Sequence, residues 1–450
     1  MNRALAAAVL GLATLLPQLA MPAAEGAGTG SAPVAPSAAI RHVIVMTQGG
    51  RSFDNYFGAR PGIDGIPTGA CQLASRISQP RCMPPHPMTP ASAQAPLLTT
   101  AAVQVASVNR GGMNGFVRAQ TSKRSDGTAA NGYYRPGSLP LLDALSRRAV
   151  LFDHWFSGVP GGTVANRLFD VTARPIGDPL VVPGGGWPAT ATIFDRLTAA
   201  GVPWRVYVQN YEPALTIDTA STKQRLGGQV ARVPLLAMRR FLDNPALRSH
   251  VVGLEHYYRD LVTGHLPAVS WIVTTSATEQ APQDPTQGQQ VSRAVVNALF
   301  MSSAWAHSAF LLTYDSSGGW YDHVQPPRMS GATVGLRVPT LLLSPYAAPG
   351  SVNHQVFDAT STLKLVEQLY GLPALADRDR TSRSPLTAFD FRRRPEQATL
   401  LAVPGDGPVA QPERKVLYLG YAATSCIVLA MWGAVRAGGL RRPRPQEARA

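Results

Sequence analysis

Two glycine-punctuated stretches, one near each end of the chain, combine residue types that can seat an anion or a cation. The first is Thr47-Gln48-Gly49-Gly50-Arg51-Ser52-Phe53-Asp54, after an apolar run at 40–46. The second is Asp315-Ser316-Ser317-Gly318-Gly319-Trp320-Tyr321-Asp322-His323, after an apolar run at 309–314. Between them, Gly161-Gly162-Thr163-Val164-Ala165-Asn166-Arg167 sets a hydroxyl behind two glycines. Glycines there permit a tight turn and close approach of backbone N–H groups to an anion. A threonine hydroxyl is a weak nucleophile unless a neighbouring group activates it. A Gly-Gly-Thr loop alone is usually no more than a turn.

The elements that must position these residues can be read from hydropathy. The runs at 40–46, 150–156, 204–208, 268–273, 309–313 and 340–343 are mostly apolar and rich in β-branched, aromatic or aliphatic residues, as strands buried in a parallel sheet are. Segments 140–149, 192–200, 256–262, 291–300 and 359–370 have helical spacing, the last with Thr360 or Ser361 as N-cap. Strands alternating with helices imply an α/β layered sandwich with a mostly parallel central sheet flanked by helices. In such folds ligands collect where loops leave the carboxyl ends of strands, and both glycine-punctuated stretches fall there. Residues 59–110, rich in Pro, Ser and Gln, read as a long excursion.

Forty-one Lys and Arg against 27 Asp and Glu give a net charge of +14, nearly all of it arginine. A basic exterior favours anionic head groups or phosphorylated substrates, and an arginine-biased coding composition accounts for it equally well. No basic run interleaves with aromatics, so nucleic acid is not an expected partner. Cys71 and Cys82, eleven residues apart in a Pro-rich loop, suggest one disulfide outside the cytosol. Residues 1–24 have the positive start, apolar run and small-residue exit of a signal peptide, followed by a linker at 25–39. Segment 416–436 is long enough to span a bilayer, against the alternative of a buried core helix. It lies between a linker at 401–415 and an arginine-rich tail at 437–450. That charge asymmetry places the tail in the cytoplasm and the main body outside the inner membrane.

These motifs resemble those of the bacterial phosphoesterase family that includes phospholipases C and acid phosphatases. The family's first motif reads Gln-Glu-Asn-Arg-Ser-Phe-Asp and its second Thr-Tyr-Asp-Glu-Gly-Gly-Gly-Tyr-Asp-His. Further matches are Gly112-Met113-Asn114-Gly115-Phe116 and Gly335-Leu336-Arg337-Val338-Pro339. The resemblance covers 40–379, within a domain set at 40–400. It implies an alkaline-phosphatase-like fold and hydrolysis of a phosphoester or phospholipid head group. Thr163 would be the nucleophile, Asn166 would stand beside it, and His323 would contact the phosphoryl oxygens. Arg51 and Asp54 would brace the first loop by ion pairing. A divalent cation is also implied, with Asp315 as its remaining carboxylate ligand. The other family ligand positions are Gly49, Gly50 and Ser316, which lack the acid or amide. Those losses imply weakened catalysis, or alternatively an inactive membrane-anchored pseudoenzyme kept for binding.

Overall fold

The computed structural model describes residues 34–74, 82–90, 96–122, 125–176 and 180–402. Apolar runs bounded by turns build one eight-stranded sheet from β1 (His42–Gln48), β2 (Val150–Phe152), β3 (Trp204–Val208), β4 (Val251–Gly253), β5 (Val269–Val273), β6 (Ser308–Tyr314), β7 (Thr340–Leu343) and β8 (Val352–Asn353). Their spatial order is β8-β2-β7-β6-β1-β5-β3-β4. All neighbouring pairs are parallel except those of β7, which runs antiparallel to both β6 and β2. Every residue of β5, β6 and β7 is buried, the signature of a sheet covered on both faces. The expected α/β layering is therefore present.

The principal helices are α1 (Phe53–Phe57), α2 (Pro140–Arg148), α3 (Thr163–Thr172), α4 (Ile193–Ala199), α5 (Gln229–Arg232), α6 (Glu255–Thr263), α7 (Pro285–Phe300) and α8 (Ala359–Tyr370). Most bounds shift by a residue or two. The run at 150–156 gives only Val150–Phe152 to this sheet, with Trp155–Phe156 in a separate two-stranded pair. Two helix starts also depart from the sequence reading. Helix α8 is capped by Asp358, which accepts from the backbone N–H of Thr360. A carboxylate there also takes the Arg378 guanidinium at 2.7 Å, which neither Thr360 nor Ser361 can do. Helix α7 begins six residues before the expected start, because Asp284 caps it and Pro285 occupies its first turn, a position proline tolerates.

The centre of the sheet sets the site. β1 and β6 pair in register from His42↔Ser308 to Gln48↔Tyr314, so the two glycine-punctuated loops leave the sheet side by side. Among the described residues no helix is long and apolar enough to cross a membrane. The signal-peptide and membrane-segment assignments fall outside the described residues. Cys71 and Cys82 are joined as a disulfide, their Cα atoms 5.2 Å apart.

Candidate functional site

Thr163 opens α3, with Gly162 as an N-cap that supplies no side-chain hydrogen bond. The first N–H groups of a helix have no intrahelical acceptors, so this ten-residue helix points donors and its positive dipole end at the threonine's surroundings. Asn166 builds the preceding turn. Its Oδ1 accepts from Val159 N at 3.0 Å, and its Nδ2 donates to the carbonyls of Val159, Gly161 and Gly162. Asn166 is fully buried and shapes the loop, so it stands near Thr163 as expected but spends its polar atoms on backbone.

Asp315, at the carboxyl end of β6 and 1% exposed, joins the three stretches. Its Oδ1 accepts from Gly50 N at 3.2 Å, Ser316 Oγ at 3.0 Å and Thr163 Oγ1 at 3.4 Å. Its Oδ2 takes Arg167 Nε at 3.0 Å. Arg167 stands one helical turn after Thr163, at the i,i+4 spacing that puts two side chains on one face. Its Nη2 donates to the carbonyls of Thr47 and Gln48 at 2.8 and 3.2 Å. The guanidinium thus ties the end of β1 to the end of β6. Arg167 ends the Gly-Gly-Thr stretch singled out in the sequence, which gave it neither a role nor a partner.

A second guanidinium lies close by. Arg232, at the end of α5 and 6% exposed, donates through Nη2 to Gln280 Oε1 at 2.6 Å and through Nε to Gly227 O at 3.1 Å. Burial, and then the positive charge of Arg167, push its pKa down to about 10, while Asp315 acts in the opposite sense. Nothing in the sequence pointed to Arg232. Asp170, on the same helix as Thr163, is pushed up to about 8 by burial, against the pull of Arg167. Among the described residues it forms no ion pair with either arginine; the carboxylate paired with Arg167 is Asp315.

The divalent cation implied by the motifs does not fit these donors. Hard cations take six or more oxygen ligands, anchored by carboxylates and completed by carbonyls, water or substrate oxygens. Here Asp315 is the lone carboxylate among the expected ligands, and protein donors engage both of its oxygens. Position 50 has no room for a side chain, since a Cβ there would lie 2.6 Å from Gly318 Cα. A Cβ on Gly49 would lie 2.8 Å from Gln280 Cβ and 3.1 Å from Arg232 Nη1. Ser316 donates its hydroxyl to Asp315. Two arginines occupy the neighbourhood a cation would need.

The excursion before the third motif folds back over this site. Gln104 Oε1 accepts from Gly161 N at 3.4 Å. Thr99 Oγ1 lies 2.5 Å from where a Cβ on Gly162 would be, and Leu97 Cβ lies 2.8 Å from the equivalent point on Gly319. The cavity bounded by Thr99, Gln104, Gly161 and Ser317 is about 10 Å³, and Thr163 is 8% exposed.

His323 belongs to a different cluster. Its Nδ1 pairs with Asp54 Oδ2 at 2.7 Å and its Nε2 with Asp64 Oδ1 at 3.1 Å. Arg337, wholly buried, pairs with Asp54 Oδ1 at 3.0 Å and Asp322 Oδ1 at 2.8 Å. Asp64 also meets His154, and Asp153 holds both His154 and His354. Burial lowers the pKa of His323, but the Asp54 hydrogen bond and the Asp54 and Asp322 charges together carry it above its ordinary value. Asp54, Asp322 and His323 lie close enough to share a cation, yet Arg337 already supplies the positive charge between the two acids. The expected Arg51–Asp54 brace is replaced. Asp54 pairs with Arg337, while Arg51 donates to Glu279 O at 2.6 Å and lies over the Trp320 ring.

A model of the Phosphoesterase family matches residues 40–373. Among curated proteins, the non-hemolytic phospholipase C of Pseudomonas aeruginosa is 28% identical over 430 residues, 78% of this chain and 57% of that protein. Phospholipase C B of Mycobacterium tuberculosis is 26% identical over 419 residues, 79% of this chain and 78% of that protein. Non-specific phospholipase C6 of Arabidopsis thaliana is 27% identical over 361 residues, 70% of this chain and 63% of that protein. The chain thus spans a little over half the length of the Pseudomonas relative. A solved alkaline phosphatase superfamily protein from Vibrio parahaemolyticus aligns over 76% of this chain and 70% of its own, with TM-score 0.35 and 12% identity.

Proposed function

This chain belongs to the Phosphoesterase family, and from that premise we propose that it is a phosphoester hydrolase of phospholipase C or phosphatase type, with Thr163 as nucleophile. The observation that carries this reading is the hydrogen bond from Thr163 Oγ1 to the buried Asp315 carboxylate at the start of α3. In the proposed reaction Asp315 takes the Thr163 proton while the Oγ1–P bond forms. The bond from phosphorus to the leaving oxygen breaks, and that oxygen takes a proton from water. A second water then attacks phosphorus and gives a proton to the hydroxide left by the first, the P–Oγ1 bond breaks, and Thr163 recovers its proton from Asp315. The helix N-terminus stabilises the negative charge on the phosphoryl oxygens. His323, held in its own acidic cluster, orders the second loop. Lacking a metal, the site is slow: losing one electrostatic stabiliser costs about a hundred- to a thousandfold in rate. The substrate class is a phosphoester such as a phospholipid head group. The proposed setting is the outer side of the inner membrane, with 416–436 as anchor, which membrane fractionation of the full chain tests.

A second reading, a pseudoenzyme that binds phosphoesters without turning them over, is favoured by the full engagement of Asp315 with protein donors. The test is turnover of p-nitrophenyl phosphate, bis(p-nitrophenyl) phosphate and phosphatidylcholine vesicles by the full chain and by Thr163→Ala. Turnover lost in the variant supports the hydrolase. Turnover unchanged by the substitution overturns it, and a folded protein with no turnover leaves the binding reading.

A further inference from the structure

We infer that Arg167 and Arg232 take the place of a divalent cation at the Thr163 site, so that it binds phosphate-type anions without metal. This rests on the reading of Thr163 as the phosphoester site. Two guanidinium groups, 2% and 6% exposed, stand against one carboxylate, leaving one buried positive charge in excess. Arg167 Nη1 and Arg232 Nη1 each have no hydrogen-bond partner among the described residues. A buried charged donor without an acceptor is costly, and an anion supplying oxygen acceptors and negative charge removes both costs. Guanidinium matches phosphate oxygens well, through charge-assisted and often paired N–H donors.

The placement is specific. Arg232 Nη1 lies 3.1 Å from where a Cβ on Gly49 would stand, so it faces the glycine loop whose Gly50 N–H holds Asp315. Asp315 in turn holds both Thr163 and Arg167. The glycine at 49 thus has a function in this chain, leaving room for the Arg232 guanidinium, a fixed cation that no chelator removes. The start of α3, Arg167 and Asp315 thus share one buried network with Thr163, and Arg232 borders it at Gly49.

The test is phosphate binding by the full chain, read by calorimetry and by the rise in melting temperature with inorganic phosphate. It is run in EDTA and in turn with Mg²⁺, Mn²⁺, Ca²⁺ and Zn²⁺, with metal content of the purified protein measured alongside. The expected result is less than stoichiometric bound metal and equal phosphate affinity with chelator or cation. Arg232→Gln weakens phosphate binding about ten- to a hundredfold, and Arg232→Lys recovers part of the loss. Phosphate binding that appears only with a divalent cation overturns the proposal, as does binding that Arg232→Gln leaves unchanged. The comparison of EDTA with cations uses the unaltered protein, so it decides the matter even where a substitution prevents folding. Turnover that requires both Thr163 and Mn²⁺ would remove the arginine pair and keep the hydrolase. Metal-free binding through Arg232 with turnover indifferent to Thr163→Ala would do the reverse.

Discussion

Replacing Arg167 by methionine keeps the length of the side chain and removes its charge, and the structure sets the size of the effect. Both members of the Arg167–Asp315 pair are essentially buried, at 2% and 0% side-chain exposure. The substitution deletes the pair and both hydrogen bonds to the carbonyls that end β1. It leaves the Asp315 carboxylate buried, with only neutral donors in hydrogen-bond contact. Removing one partner of such a pair costs about 3–5 kcal/mol, whereas exposed pairs are worth about 0.2–1 kcal/mol. Arg239–Asp218, about half exposed at both ends, is the internal comparison. Urea denaturation of the parent, Arg167→Met, Asp315→Asn and the double variant closes a cycle. The double variant should lose less than the sum of the singles, with a coupling of about 0.5–3 kcal/mol. A cost for Arg167→Met no larger than that of Arg239→Met, or singles that simply add, would refute the view that this pair joins the loops.

Three further outcomes follow from the same geometry. Gly50→Ala should destabilise by about 1–3 kcal/mol because the new Cβ meets backbone at Gly318, while Gly185→Ala, with nothing within 4 Å, should stay within about 0.5 kcal/mol. Equal stability of the two variants would contradict the close packing of the loops. Glu279 is wholly buried and its pKa is pushed up to about 6 by burial, partly offset by the Tyr56 and Tyr314 hydroxyls. A raised carboxyl pKa favours the protonated form in the folded state. Its contribution is therefore complete below about 4.5 and lost as pH rises through about 6, in total about 2 kcal/mol; Glu279→Gln should flatten that slope in denaturation curves from pH 4 to 7. Asp54→Asn should lower the His323 titration midpoint seen by NMR, since Asp54 carries the raised value. The stabilisation tied to a raised histidine is present below its ordinary pKa and lost as pH rises through the raised one, so an unmoved midpoint would discard Asp54 as the cause.

The strands at 204–208 and 340–343 were legible to the residue, because short runs rich in β-branched, aromatic or aliphatic residues end there at turn residues, even though Arg205 interrupts the first. Helix α8 was legible in extent, its apolar spacing running unbroken to Gly371. The reversal of β7 was not, since strand direction leaves no mark on composition. Helix α7 was read short, because Gln and Gly in its first turns hide a start that Asp284 and Pro285 define. Around the site, the three stretches that resemble the family's motifs meet, bringing Thr163, Asp315 and Gly50 together with Asn166 in the turn before Thr163. The charge partners were invisible. Arg337 pairs with Asp54 across 283 residues of sequence and Arg232 approaches Gly49 across 183, and no local pattern encodes such pairings. The lost ligand positions were plain in the sequence, but what fills their place depends on side chains from α3 and α5.

The stretch from Leu97 to Gln104 rests on the Gly161–Thr163 turn, and a ligand that reaches Thr163 by displacing it would arrive in two events in series, displacement and then capture. Once ligand is abundant, the observed association rate stops climbing with concentration and settles at the rate at which this stretch lifts away. That ceiling would be the same for inorganic phosphate and for a bulky head group, though their equilibrium affinities differ. The same stretch, once settled again, would stand between bulk water and a phosphorylated Thr163. An adduct formed there would outlive the departure of its leaving group, long enough to be trapped by acid quench and weighed by mass spectrometry.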